Sequence, residues 1–269
     1  MLQLFFFGLL LGQPLHVVSF NVESGQANID TLTEFVADEQ GCDVWGFAEV
    51  LDAHWAERLE EAAEVGESAN FEEVLGTTGR EDLLLIVYNT QRLELLKSFE
   101  LDHINVRGRV RAPLVALFKD LQSGQKFYFM VNHLYRGNAE GRHLQATLLN
   151  TWGKSAKLPV IAVGDYNFDW EVQNGDQVHD LGYDNMIKDH VFTWVRPPKL
   201  VKTHSHPDYD TVLDFVFLSE QAQSWPARAE IVEGVNGPLD DLFRSDHLPI
   251  RAVIEIPALK GYTNKPSSK

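Results

Sequence analysis

Eight short apolar runs with the length and the β-branched or aromatic content of strands recur along the whole chain: HVVSFN (16–21), DVWGFAEV (43–50), LLLIVYN (83–89), PLVALFKD (113–120), KFYFMVNHL (126–134), PVIAVGDYN (159–167), LDFVFLS (213–219) and HLPIRAVIEI (247–256). Helical patterns lie between them. Asp30 reads as the N-cap of a helix carrying Leu32, Phe35 and Val36 on one face, and DAHWAERLEEAAEVG places Trp55, Leu59 and Ala62 at similar spacing. A third helix, from Asn138 to Trp152, carries Leu144, Leu148 and Leu149. LQSGQ (121–125) joins two strand runs as a hairpin turn, so part of the sheet is antiparallel. Hairpins mixed with strand–helix–strand stretches predict an α/β fold of packed sheets with helices outside.

The chain has no internal repeat, low-complexity tract or Pro- or Ser-rich linker, which predicts one domain over 15–258. An apolar segment (1–14) precedes it and a tail (259–269) follows, expected to be loose through GYTNKPSSK. With 44% hydrophobic residues the core is well supplied. The formal charge of −16 argues against a surface built to hold long polyanions, which needs clustered Lys and Arg. A lone cysteine, Cys42, excludes an intramolecular disulfide and argues against a Cys-based zinc site. MLQLFFFGLLLG is too short to span a bilayer. It is similar to the apolar part of a secretory signal, yet no Lys or Arg precedes it and no A-x-A site follows, so an apolar segment packed on the domain is the alternative. The first predicts a secreted or periplasmic protein, the second a cytoplasmic one.

The polar residues fall at strand ends. Asn21 follows VVSF, Glu49 follows VWGFA, Asn132 and His133 follow FYFMV, and Asp165 and Asn167 follow VIAVG; Asp214 precedes FVF, and Asp246 with His247 precedes LPI. A strand that ends in a carboxylate, amide or imidazole delivers that group to the rim of a sheet on rigid backbone. Each has an ordinary alternative when taken singly: a turn residue for Asn21, a solvated strand end for Glu49, a core histidine for His133, a Gly-Asp turn for Asp165, a buried ion pair for Asp214. Their recurrence at end after end is the signal.

The motifs that carry them, SFNVESG (19–25), WGFAEV (45–50), VNHL (131–134), GDYN (164–167), LDFVF (213–217) and SDHLP (245–249), resemble in content and order those of the endonuclease/exonuclease/phosphatase superfamily, also called DNase I-like. The resemblance implies an α/β sandwich of two packed mixed or antiparallel sheets flanked by helices, and hydrolysis of phosphate esters assisted by Mg²⁺ or Mn²⁺. Glu49 and Asp246, with the amide oxygen of Asn21, are hard oxygen donors suited to such an ion. The resemblance further implies that Asp165 orients and deprotonates the attacking water, that Asn167 holds that water or the phosphate, and that His133 donates to a phosphoryl oxygen. His247 would contact the phosphorus-bearing group, with Asp214 on its other ring nitrogen fixing the tautomer and raising the pKa.

One departure is Ala48, where the family commonly has Gln before the glutamate. Arg136 and Arg142 are candidate clamps for a substrate phosphate. His204 and His206, in VKTHSHPDYD, are expected to be part of a solvated loop, with contact to substrate or a second cation as the alternative, and Tyr166, Phe168 and Trp170 are expected in the core. The expected substrate is a small phosphorylated molecule or a lipid headgroup, with a DNA- or RNA-cleaving enzyme as the alternative. A catalytically inactive binding protein on the same fold, and a purely structural domain whose strand-end acids only solubilise it, are the non-enzymatic alternatives. A monomer without a stable protein partner is expected.

Overall fold

The computed structural model describes residues 14–108, 110–233 and 244–262, so the N-terminal apolar run and the last seven residues of the tail lie outside the described residues. The strands are β1 (Leu15–Asn21), β2 (Val44–Val50), β3 (Phe71–Leu75), β4 (Leu83–Asn89), β5 (Leu93–Glu100), β6 (Leu114–Asp120), β7 (Lys126–His133), β8 (Val160–Glu171), β9 (Phe192–Trp194), β10 (Thr211–Ser219), β11 (Ala227–Ile231) and β12 (Ile250–Ile254). The α-helices are α1 (Ile29–Asp38), α2 (Ala53–Glu67), α3 (Ala139–Ser155) and α4 (Leu181–Ile187). Among the described residues they form two six-stranded sheets, in the orders β11-β12-β1-β2-β4-β3 and β5-β6-β7-β8-β10-β9. Each sheet has one parallel pair, β1 with β2 across α1 and β7 with β8 across α3, and is otherwise antiparallel.

The eight runs expected from the sequence are the eight interior strands, and the four strands not foreseen, β3, β5, β9 and β11, are the four sheet edges. Edge strands are short and half-solvated, so FEEVL and ARAEI carry charges that hide an apolar pattern. Alternation along each interior strand separates two apolar layers. In the first sheet Val18, Phe20, Trp45 and Phe47 face α1 and α2, joining Leu32, Phe35, Trp55 and Leu59. Val17, Val44 and Ala48, on the other face, join the core shared with the second sheet. The sheets meet closely at Gly46, where a Cβ would lie 2.6 Å from Val163 Cγ2 and 2.9 Å from Val131 Cγ2. The parallel pair β7–β8 closes in the same way at Gly164. Its φ of +131° is one that L side chains rarely adopt, and a Cβ there would lie 1.9 Å from the carbonyl oxygen of Asn132.

Several local expectations are corrected. Asn28, not Asp30, caps α1: its side chain accepts from Asp30 N–H at 2.8 Å, and Asp30 occupies the first turn, where its charge suits the helix dipole. Leu144 is half exposed on α3, whereas Leu149 is buried and Leu148 is packed partly against the core. Regular strand geometry in β12 begins at Ile250, since His247 is in an isolated bridge with His204. Tyr166, Phe168 and Trp170 are core residues, as expected. Within the tail, Tyr262 is fastened to the β6–β7 turn: its hydroxyl donates to Leu121 O at 3.1 Å and its ring covers Gly124.

Candidate active site

β1, β2, β7, β8 and β10 bring their polar ends to one mouth between the sheets. Parity explains most of this. Asn21 shares the inter-sheet face of β1 with Val17, His133 that of β7 with Val131, and Asp165 that of β8 with Val163. Asp214 is directly opposite Asp165 across β8 and β10. Glu49 breaks the rule. By strict alternation it belongs with Trp45 and Phe47 on the helix face. A bulge between Phe47 and Val50, with Glu49 at φ +59°, turns its carboxylate back to the mouth.

The convergence is a continuous set of contacts. Asn21 Nδ2 donates to Glu49 Oε1 at 2.9 Å and to Asp165 Oδ2 at 3.2 Å. His133 Nε2 lies 3.7 Å from Glu49 Oε1 and 3.4 Å from Asp165 Oδ2. His247 Nε2 lies 3.8 Å from Asp165 Oδ2 and 3.8 Å from Asp246 Oδ1, while its Nδ1 meets Asp214 Oδ2 at 2.8 Å. Asn167 N–H donates to Asp165 Oδ1 at 3.0 Å, and its side-chain Nδ2 donates to Leu134 O at 3.1 Å. The amide oxygen of Asn167 is therefore its free group, which suits a water better than a phosphate.

The two imidazoles are held in opposite states. Burial lowers the His133 pKa, and the neighbouring Arg111 guanidinium lowers it further, to about 4. Arg111 contacts His133 Nδ1 and can only donate, so the ring is neutral with its proton on Nε2, facing the mouth. Burial also opposes the charged form of His247. The charge and hydrogen bond of Asp214, with Asp165 and Asp246 behind them, outweigh it and push the pKa up to about 10. Both rings thus present an N–H donor, one neutral and one cationic. Burial raises the Asp165 pKa, against the pull of His133 and His247.

The acidic side of the mouth is suited to a hard cation. Glu23 Oε2 accepts from Asp246 N–H at 2.8 Å. Its pKa is raised by burial and then by the charges of Asp246 and Glu49, against the Asp246 backbone hydrogen bond and the charge of His247. Glu23, Glu49 and Asp246 offer hard oxygen donors of the kind Mg²⁺ or Mn²⁺ takes, while the ligand atoms that lie closest together form groups that each include a histidine, such as Glu49, Asp82 and His133, or His204, Asp246 and His247. Asn21 departs from expectation: its amide oxygen accepts from Glu23 N–H at 3.1 Å, and its nitrogen spans Glu49 and Asp165. In this arrangement Asn21 ties the carboxylates together and does not offer them an oxygen ligand.

Neither arginine foreseen as a phosphate clamp is free for that task. Arg142 is 5% exposed, donating to Asp180 Oδ2 at 2.7 Å and to the carbonyls of Tyr135 and Arg136. It clasps the loop that leads into α3. Arg136 is half exposed, paired with Asp169 at 2.7 Å, and its guanidinium lies 4.5 Å from the Tyr209 ring centroid. His204 is not solvated: Nε2 meets Asp246 Oδ2 at 3.0 Å, its ring lies 4.8 Å from that of His247, and with His247 it is among the causes that lower the Asp246 pKa against burial. His206 is the exposed one.

Glu23, Asp82, Arg111 and Ser245 were not foreseen. Asp82 pairs with Arg111 at 2.7 Å and lies 3.4 Å from His133 Nδ1; burial pushes its pKa up to about 6 although Arg111 opposes this. Ser245 Oγ donates to Asn21 O at 2.5 Å and accepts from His247 N–H at 3.0 Å, pinning the Asp246–His247 turn to β1. The available signals were positional: Glu23 is two residues past Asn21, Asp82 adjoins a strand run, and Ser245 opens SDHLP.

The sequence model described as the Endonuclease/Exonuclease/phosphatase family matches residues 18–247. Among solved structures, zebrafish (D. rerio) TDP2 complexed with single-strand DNA product is similar with a TM-score of 0.71 and 18% identity, over 90% of this chain and 99% of that one. A Bacteroides thetaiotaomicron mannosyl-6-phosphatase gives 0.66 and 18%, over 89% and 99%. The human Nocturnin catalytic domain with bound sulfate gives 0.61 and 16%, over 90% and 94%. At these identities the likeness shows the shared fold. Among curated protein sequences none matches significantly.

Proposed function

Because the chain belongs to the endonuclease/exonuclease/phosphatase family, we propose that it is a divalent-metal-dependent phosphoesterase acting on a small phosphorylated molecule or a lipid headgroup. The observation that carries the reading is the unbroken contact set linking Glu49, Asn21, Asp165, His133, His247 and Asp214 at one mouth. A structural domain has no physical reason to bury two carboxylates and two imidazoles together beside a third, partly exposed carboxylate.

Glu49 and Asp246, with Glu23 beside them, would hold Mg²⁺ or Mn²⁺, which supplies neutralisation of phosphoryl charge. The remaining work falls to the chain. Asp165, its pKa raised by burial, is the general base for the attacking water, and the free amide oxygen of Asn167 orients that water. His133 donates its Nε2 proton as a neutral ring, while cationic His247 donates to charge that develops on the phosphoryl oxygens. Asp214 fixes the tautomer of His247.

The acidic balance of the chain supports a compact substrate over a long polyanion. One solved relative is named a phosphatase of a phosphorylated sugar, and another holds a DNA product. The test is a panel of sugar phosphates, phospholipid headgroup esters, bis(p-nitrophenyl) phosphate and DNA and RNA oligonucleotides, run with EDTA and with Mg²⁺ or Mn²⁺ restored. Turnover should vanish with EDTA, return with the ion, and drop by at least about 100-fold in Asp165→Asn. Turnover that persists in EDTA, or is unchanged in Asp165→Asn, overturns the proposal.

A further inference from the structure

Beside the catalytic mouth is a cavity of about 640 Å³ lined by Thr77, Thr78, Gly79, Arg80, Asn105, Gly108, Val110 and Tyr135. Its wall is continuous with the His133 side of the site. A Cβ on Gly79 would lie 2.2 Å from Asp82 O and 3.2 Å from Arg111 Cβ, and Asp82 and Arg111 are the residues that touch His133. Tyr135 is two residues beyond His133 on the same segment. The volume is that of a pocket for a small ligand.

Most arginines of the chain are tied to carboxylates. Arg58, Arg92, Arg136, Arg142, Arg196 and Arg251 each pair with a carboxylate within 4.0 Å. Arg80, on the lining, and Arg107, the chain neighbour of the lining residue Gly108, are exposed and have no carboxylate partner among the described residues. Arg228 is likewise exposed and without a carboxylate partner among the described residues, so what sets Arg80 and Arg107 apart is their place at this cavity. Both hold left-handed backbone, Arg80 at φ 63° and Arg107 at φ 58°, a conformation that costs a non-glycine residue roughly 1 kcal/mol or more. The loop bearing Arg80 is braced from behind, where Glu100 accepts from Thr77 N–H at 3.1 Å and from the Thr78 hydroxyl at 2.7 Å. Its carboxyl pKa is lowered, the threonine hydrogen bonds outweighing burial, so the brace stays ionised.

We infer that this cavity is a second anion subsite, in which Arg80 and Arg107 bind a further phosphate on the same substrate while the first lies between His133 and His247. The inference rests on the phosphoesterase reading and narrows it to substrates carrying two phosphates. Tyr135 and Asn105 supply the surface for the polar scaffold that separates them. Two sources of the second phosphate share this chemistry: a bisphosphorylated small molecule and a neighbouring nucleotide.

The test compares KM for fructose 1,6-bisphosphate against fructose 6-phosphate, and for pTpT against pT, in wild type and in Arg80→Gln/Arg107→Gln. The doubly phosphorylated member of one pair should show the lower KM in wild type, and that pair names the source. In the double variant the ratio should collapse by roughly three- to tenfold, the scale of two partly exposed arginine–phosphate contacts. Equal KM within both pairs in wild type, or a ratio that survives in the double variant, overturns the inference. If wild type hydrolyses none of these, the phosphoesterase reading is judged separately, by the wider panel with EDTA and metal restored. Calorimetric binding of methylenebisphosphonate against methylphosphonate with Mg²⁺ present then decides the subsite: a wild-type preference lost in the double variant supports it, and no preference rejects it.

Discussion

Asp214→Asn isolates what the carboxylate behind His247 contributes. The substitution keeps the shape and leaves an amide oxygen to accept from Nδ1–H, but it removes the charge 2.8 Å from the ring. Burial alone disfavours the imidazolium, and Asp214 is the foremost of the groups that oppose it; Asp165 and Asp246 stand at 3.8 Å. With Asp214 neutral, those two are left to offset burial, and the pKa returns from about 10 to near its ordinary 6.5. At pH 8 the wild-type ring is almost wholly protonated, whereas in the variant about one ring in thirty is. The assay is kcat/KM from pH 5 to 10 at saturating Mg²⁺, with the ring titrated in parallel by NMR. The variant should approach wild type near pH 5.5 and fall about thirtyfold behind it at pH 8. An alkaline limb that stays above pH 9, or a loss of the same size at every pH, refutes the charge argument.

Three further outcomes follow from the packing. Arg92 is buried, with Nε 2.7 Å from Asp120 and Nη1 3.1 Å from Pro14 O, so Arg92→Leu strands a buried carboxylate and should cost roughly 3–5 kcal/mol in urea unfolding. Gly46→Ala drives a methyl into Val163 and Val131 and should cost about 1–3 kcal/mol, with activity lowered in step because the same contact sets the spacing of Glu49 from His133. Burial, then Glu64, Glu73, Glu61 and Glu57, raise Glu60 to about 7; its folded state favours the proton, so its stabilising contribution is present below pH 4.5 and lost as pH rises through 7. Glu60→Gln should therefore raise Tm at pH 8 and leave it unchanged at pH 4.5, and an equal gain at both would contradict the assignment.

Which strands were legible in the sequence follows from where they sit. Interior strands are covered on both faces or on one face and both flanks, so LLLIVYN and LDFVFLS read as strands without help. LELLKSFE and ARAEI lie at edges where solvent meets half the side chains and the outer backbone, and there charge is favoured over periodicity. The same covering explains the site. A polar group that ends an apolar run has the inward parity of that run, which made Asn21, His133, Asp165 and Asp214 visible by position alone.

Residues that escaped or were misplaced are those whose direction depends on something other than parity. Glu49 was read as a strand-end acid like the others, yet it reaches the mouth only through a bulge, since strict alternation would have sent it to the helices. Asn21 lies at the mouth, but the orientation of its amide is set by Glu23 N–H, a backbone donor that no side-chain pattern encodes. His204 and Arg142 look alike in sequence, polar residues in or beside loops, yet one supports Asp246 and the other clasps the loop before α3. The difference lies in which carboxylate the tertiary fold brings near. Arg80 and Arg107 are the converse case, since among the described residues the fold brings a carboxylate to neither, and both hold left-handed backbone. On the proposed subsite, arginines held on strained backbone at a cavity beside the mouth would meet their anion only when it arrives with the substrate.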